Sequence, residues 1–211
     1  MPAQSHSPGN STDLPYDIDD HPVTGMSNGR LGIWLFLASE VMLFGALFSS
    51  YLLLRVGAPQ WPPEGGRSSD LLSVPLSTFN TVVLISSSIT MVLAWAAAVQ
   101  RQLGKARLFL GATLLCALVF LGVKWVEYAA KLHHGKLPST DTFYAIYFTL
   151  TGLHGLHILG GVVVIGYLLL TSGRLVGPGG RAFANRVENT GLYWHFVDLV
   201  WIFLFPALYL L

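Results

Sequence analysis

"LSTFNTVVLISSSITMVLAWAAAV", Leu76 to Val99, runs for 24 residues without one charged side chain. At 1.5 Å per residue a helix of that length spans about 36 Å, which exceeds the roughly 30 Å hydrocarbon core of a bilayer. Its polar members, Asn80, Ser86, Ser87, Ser88 and Thr90, carry hydroxyls and an amide that can bond between helices in lipid. The stretch reads as a transmembrane helix and sets the solvent for the rest of the chain.

Working outward, the 211 residues are 53% hydrophobic and only 11% charged, with six Trp, far from the balance of a soluble domain. Four further runs have the same character: Leu31 to Leu54, framed by Arg30 and Arg55; a run from about 106 to 128; Phe143 to Leu170; and Thr190 to Leu211. Barrel strands would alternate over about 10 residues, whereas these runs are continuous, so helices are the reading. The predicted fold is an all-α membrane protein, a bundle of five transmembrane helices over about 31–54, 76–99, 106–128, 143–170 and 190–211.

Basic residues give the orientation. The N-terminal side and the loops after the second and fourth spans hold Arg30, Arg101, Lys105, Arg107, Arg174, Arg181 and Arg186, against Arg55, Arg67, Lys131 and Lys136 on the other face. Seven against four predicts the N-terminus inside and the C-terminus outside. The basic residues are spread over short loops and form no patch, so no nucleic-acid partner is indicated.

Residues 1–29 contain no Lys or Arg and are rich in Ser, Pro, Asp and Gly. They lack the basic start and apolar core of a signal peptide and read as a polar N-terminal arm preceding a membrane domain over 30–211. The single cysteine, Cys116, allows neither an intrachain disulfide nor a thiolate metal cluster. The connections over 55–75 and 171–189 are rich in Gly and Pro and too polar to pack a core. Any chemistry therefore belongs to polar side chains within the membrane, where an ionisable group is costly and marks a candidate site.

Glu40 lies near the middle of its span and is too short to reach either surface. It must be neutral, paired or hydrated, as a proton-relay carboxylate or as a structural hydrogen-bond acceptor. His154 and His157, three apart, share a helix face with several glycines, and His195 and Asp198 repeat that spacing on the last span. Two chemistries fit them: axial haem or metal ligation by His154 or His157 with His195, or an interhelical hydrogen-bonding cluster that fixes helix register. Lys124 and Glu127 are spaced as an ion pair near a membrane face, with Trp125 and Tyr128 as interfacial anchors.

Five fragments, "LASEVMLFGALFSSYLLLR", "PLSTFNTVVLISSSITMVLA", "FLGVKWVEY", "FYAIYFTLTGLHGLHILGG" and "ENTGLYWHFVDLVWIFLFPALYLL", resemble in order the successive spans of subunit III of the haem-copper terminal oxidases, the cytochrome c oxidase subunit 3 family. The resemblance covers about residues 29 to 211. It implies the short, five-helix bacterial form, which lacks the first two helices of the seven-span members.

The resemblance also implies an accessory role: no catalytic centre, haem, copper or other metal on this chain, redox centres on partner subunits, bound phospholipid, and contact with subunit I, subunit II and other subunits of the respiratory complex. The location implied is the bacterial plasma membrane, and the roles are stabilising subunit I and supporting proton uptake. Glu40 matches the family's membrane-buried, carbodiimide-reactive carboxylate. His154, His157, His195 and Asp198 match its recurring polar positions, and Glu127 the Glu of its Glu-Tyr pair. Trp34 and Phe44, on the first span with Glu40, are the implied contacts with subunit I. Short forms also occur in quinol oxidases and beside nitric oxide reductases, which leaves the electron donor open. A b-type cytochrome and a proton channel centred on Glu40 are the readings from other classes.

Overall fold

The computed structural model describes residues 27–62, 72–133, 137–139, 141–175 and 181–210. The polar arm expected over 1–29 lies outside the described residues except at its end, where Asn28 and Gly29 already belong to the first helix. Among the described residues five helices follow in order: α1 Asn28–Gly57, α2 Val74–Val99, α3 Leu103–His133, α4 Thr142–Leu175 and α5 Arg181–Phe205, the last continued by a π-helical turn, Pro206–Leu210. All five are long and apolar enough to cross a membrane.

Each helix outruns the apolar stretch that announces it. Hydropathy marks the part of a helix that lies in oil, while the backbone stays helical beyond it. So α5 begins at Arg181 and takes in Arg186 and Glu188, and α3 continues to His133 because Lys124, Glu127 and Lys131 turn inward. Pro75 occupies the first turn of α2, where its missing N–H is not needed. Pro206 has no N–H for the carbonyl one turn back and crowds that turn, and the chain there widens to the π form.

Between α2 and α3 the connection is only Gln100 to Gln102. The Gln102 N–H donates to the Ala97 carbonyl at 2.9 Å and the Arg101 N–H to the Ala98 carbonyl at 3.0 Å. These are the two bonds of a Schellman motif, and they place Arg101 at φ 60°, the left-handed position that glycine usually fills.

Helices α2, α3, α4 and α5 close a ring in which each packs on the next and α5 returns to α2. Helix α1 stands outside it, against α4 and α5. Its buried side chains, Leu37, Phe44 and Tyr51, are seven residues apart, the spacing of a left-handed helix seam. Three polar bonds reinforce that seam: Arg30 Nη2 to Glu188 Oε1 at 2.6 Å, Glu40 Oε2 to His157 Nε2 at 3.0 Å, and the Tyr51 hydroxyl to the Ala207 carbonyl at 2.6 Å. Much of the rest of α1 is exposed apolar surface, Val56, Met42 and Leu53 above all.

Candidate functional site

The polar residues singled out in the sequence fall into four separate places. The first joins α1 to α4. His157 Nδ1 lies 2.8 Å from the Leu153 carbonyl, which can only accept, so Nδ1 carries a hydrogen. Its Nε2 faces Glu40 Oε2 at 3.0 Å, and one more proton must lie in that bond. Whether written as imidazolium and carboxylate or as imidazole and carboxylic acid, the pair carries no net charge. This is how a mid-membrane carboxyl and an imidazole coexist in oil. The Tyr193 hydroxyl donates to the His157 carbonyl at 2.8 Å and ties the same turn of α4 to α5.

His154, one turn before His157, is fully buried in the ring. Its imidazole stacks on Trp201 with centroids 5.1 Å apart and meets the edge of Phe120 at 5.7 Å. Neither ring nitrogen has a hydrogen-bond partner among the described residues. The Trp201 indole donates to Thr81 Oγ1 at 2.9 Å, so the same aromatic cluster joins α2, α3, α4 and α5.

The third place is at the C-terminal end of the ring. Lys124 Nζ lies 2.8 Å from Glu127 Oε2 and 2.6 Å from the Tyr209 hydroxyl. The hydroxyls of Tyr147 and Tyr209 donate to Glu127 Oε1 at 2.9 and 3.0 Å, and Lys131 Nζ stands 3.7 Å from that oxygen. Lys124, Glu127 and Lys131 are all buried. The spacing did reveal the ion pair, but its setting is interior: Trp125 faces outward as expected of an anchor, whereas Tyr128 turns in to bond Thr151.

His195 and Asp198 make up the fourth, on the flank where α5 meets α2. His195 Nδ1 bonds Ser88 Oγ at 2.7 Å. Asp198 is buried, and neither carboxylate oxygen has a partner among the described residues.

The structure thus unites Glu40 with His157 and leaves His154, Glu127 and the His195–Asp198 turn in separate settings. Axial ligation by His157 with His195 is corrected by this geometry, because both nitrogens of His157 are already engaged. Among the described residues no three His, Cys, Asp or Glu side chains are grouped so as to hold a metal ion. Of the two candidate partner contacts, Trp34 is exposed. Phe44 is corrected: it is buried within the chain, its ring against His157 and Phe196 at 5.3 and 6.2 Å.

Tyr147 and Tyr209 escaped the sequence reading, whereas Ser88 was among the hydroxyls it named for bonds between helices. Tyr147 and Tyr209 are 20 and 82 residues from Glu127, and no local spacing announces them. Lys131, at i+4 from Glu127, was within reach of the spacing argument.

Known proteins give the same picture from an independent side. The family profile described as Cytochrome c oxidase subunit III matches residues 18–211. The chain is similar to cytochrome c oxidase subunit 3 of Synechocystis sp., 36% identical over 97% of this chain and 88% of the relative. It is also similar to the subunit of the same name from Thermostichus vulcanus, 39% identical over 86% of each chain. A third relative is cytochrome bo(3) ubiquinol oxidase subunit 3 of Pseudomonas aeruginosa, 33% identical over 91% of this chain and 89% of the relative. A family match over nearly the whole chain and five membrane-length helices lead to one conclusion: this multi-pass membrane chain belongs to the cytochrome c oxidase subunit III family.

Proposed function

We propose that the chain is the accessory, non-redox third subunit of a proton-pumping haem-copper terminal oxidase in a bacterial plasma membrane, where the complex reduces O2 to water in aerobic electron transport. The observation that carries this is the family match over residues 18–211, with relatives named as third subunits of such oxidases. Haem and copper belong in this reading to partner subunits, with subunit I the main neighbour and subunit II and phospholipid also in the assembly. The basic-residue balance supports an N-terminus inside and a C-terminus outside.

On this chain, the Glu40–His157 pair is the proposed proton-bearing group. It holds one exchangeable proton at mid-membrane without net charge, and that geometry supports a role in proton uptake by the neighbouring subunit. His154, His195, Asp198 and Glu127 act in the same reading as interhelical contacts that keep the ring in register, and Trp34 as a contact with subunit I.

The test is purification of the tagged chain in mild detergent. The expected result is stoichiometric recovery of a haem-containing large subunit, with O2 consumption by the complex and no haem absorbance on the separated chain. The donor oxidised in that assay, cytochrome c or quinol, decides between the two kinds of relative. Recovery without any haem protein, or haem bound to this chain alone, would overturn the reading.

A further inference from the structure

Ser88 and His195 mark a seam with an unanswered polar group at the middle of the membrane. His195 lies thirteen residues into the fifth apolar helix and fifteen from its end, and Ser88 is similarly central in α2. Their mutual bond uses only Nδ1 of the imidazole. The residue is only partly buried, and no hydrogen bond to its other nitrogen, Nε2, is made among the described residues. Donor or acceptor according to tautomer, it is polar either way.

Other outward hydroxyls in the spans behave differently. Ser39, Ser50, Ser86, Thr149 and Thr171 each turn back to a carbonyl of their own helix. An imidazole Nε2 cannot do this while Nδ1 holds Ser88. Around it the surface is apolar and exposed, with Ile85 and Val92 on α2 and Leu199 and Ile202 on α5. One turn from His195 lies Asp198, only 5% exposed, its carboxyl facing Ser88. Lipid at this depth is hydrocarbon and offers no hydrogen bond, since headgroups lie about 15 Å away.

The chain itself shows what such a seam takes. On the neighbouring seam, between α4 and α5, helix α1 is docked, and its mid-membrane carboxyl, Glu40, answers the imidazole His157. The seam between α5 and α2 presents the same arrangement without its sixth helix.

We propose that the α2–α5 seam is a docking site for a transmembrane helix of the large oxidase subunit, which brings a hydrogen-bonding side chain to His195 Nε2 at mid-membrane. The inference rests on the accessory-subunit reading and adds where and by what chemistry the partner binds. The occupant is a protein helix because the group to be satisfied lies beyond the reach of lipid headgroups.

The experiment uses the intact complex. A photoreactive benzoylphenylalanine replaces Leu199 in the seam or, as comparison, Leu170 on the outer surface of α4, which is 86% exposed. Irradiation is expected to join the Leu199 probe to the large subunit, identified by mass spectrometry, in at least fivefold greater yield than the Leu170 probe. Equal yields, no protein adduct at Leu199, or an adduct with a second copy of this chain would overturn the docking site. His195→Phe, in parallel, is expected to lower retention of the chain on the complex by about three- to tenfold, the worth of one interhelical hydrogen bond in a membrane. Unchanged retention would overturn the bond to His195 even with the cross-link intact. Failure of the unaltered chain to bring down a haem protein would instead overturn the reading beneath.

Discussion

The indole of Trp194 on α5 lies where a side chain on Gly161 of α4 would have to go: a Cβ there would fall 2.5 Å from Cζ3 and 2.7 Å from Cε3. Trp194 is fully buried and its Nε1–H donates to Ser87 Oγ on α2 at 3.0 Å, so it cannot swing aside without losing that bond. Gly161→Ala is expected to destabilise by about 1–3 kcal/mol through overpacking. Gly166 has no atom near its virtual Cβ, and Gly166→Ala should be neutral or stabilising, since alanine is the better helix former by about 1 kcal/mol. Thermal unfolding in detergent compares them, and equal midpoints would show that the α4–α5 contact can relax.

Lys124 and Glu127 are a buried pair, and breaking it should cost far more than replacing it. Lys124→Met leaves Glu127 in the interior without its nearest cation, a loss of about 3–5 kcal/mol by analogy with other buried pairs. The double change Lys124→Met with Glu127→Leu is expected to recover a large part of that. Tyr209→Phe, which removes a hydroxyl bonded to both, should cost about 1–2 kcal/mol. Additive losses in the double variant would mean that the two side chains do not depend on each other.

Glu40→Gln can bond His157 Nε2 through its amide but has no titratable proton. Subunit retention should persist while proton uptake or the lifetime of the complex during turnover falls severalfold. Glu40→Ala leaves Nε2 unpartnered and should weaken α1 docking as well, by about 1–3 kcal/mol. A Gln variant equal to the unaltered complex in turnover, proton stoichiometry and lifetime, from mildly acidic to mildly alkaline pH, reduces Glu40 to a structural acceptor.

At the α2–α3 turn, Arg101 holds a left-handed conformation that costs a non-glycine residue about 1–2 kcal/mol. Arg101→Gly removes that strain but adds freedom to the unfolded chain, for a net gain of up to about 1 kcal/mol. A lower melting temperature in this variant would show that the arginine side chain makes contacts outweighing the strain.

The sequence made the helices legible but not their faces. In water the buried side of a helix is its apolar stripe, but in oil the outside is as apolar as the inside and the stripe disappears. Leu37 and Phe44 face inward while Met42 and Leu53 face out, and nothing in their chemistry distinguishes them. Pairs within one helix could be read from spacing, as Lys124 with Glu127 was. Their completion by Tyr209, and that of His157 by Glu40, could not, because those partners belong to other helices. Phe44 was misplaced for the same reason: an aromatic ring meets helix or lipid equally well.

The seam that holds α1 also has a history in time. Its three polar bonds join Arg30, Glu40 and Tyr51 to residues that follow 158, 117 and 156 positions later in the chain. A ribosome adding about 5–20 residues per second needs on the order of ten seconds to make the segment between Glu40 and His157. During that interval the first helix, once inserted, must wait in the bilayer with its carboxyl unanswered, either protonated or sheltered by the insertion machinery. Its docking is therefore a post-insertion event that α4 can begin and only the last helix can complete, and truncation before α5 should leave α1 held by the Glu40–His157 bond without those of Arg30 and Tyr51.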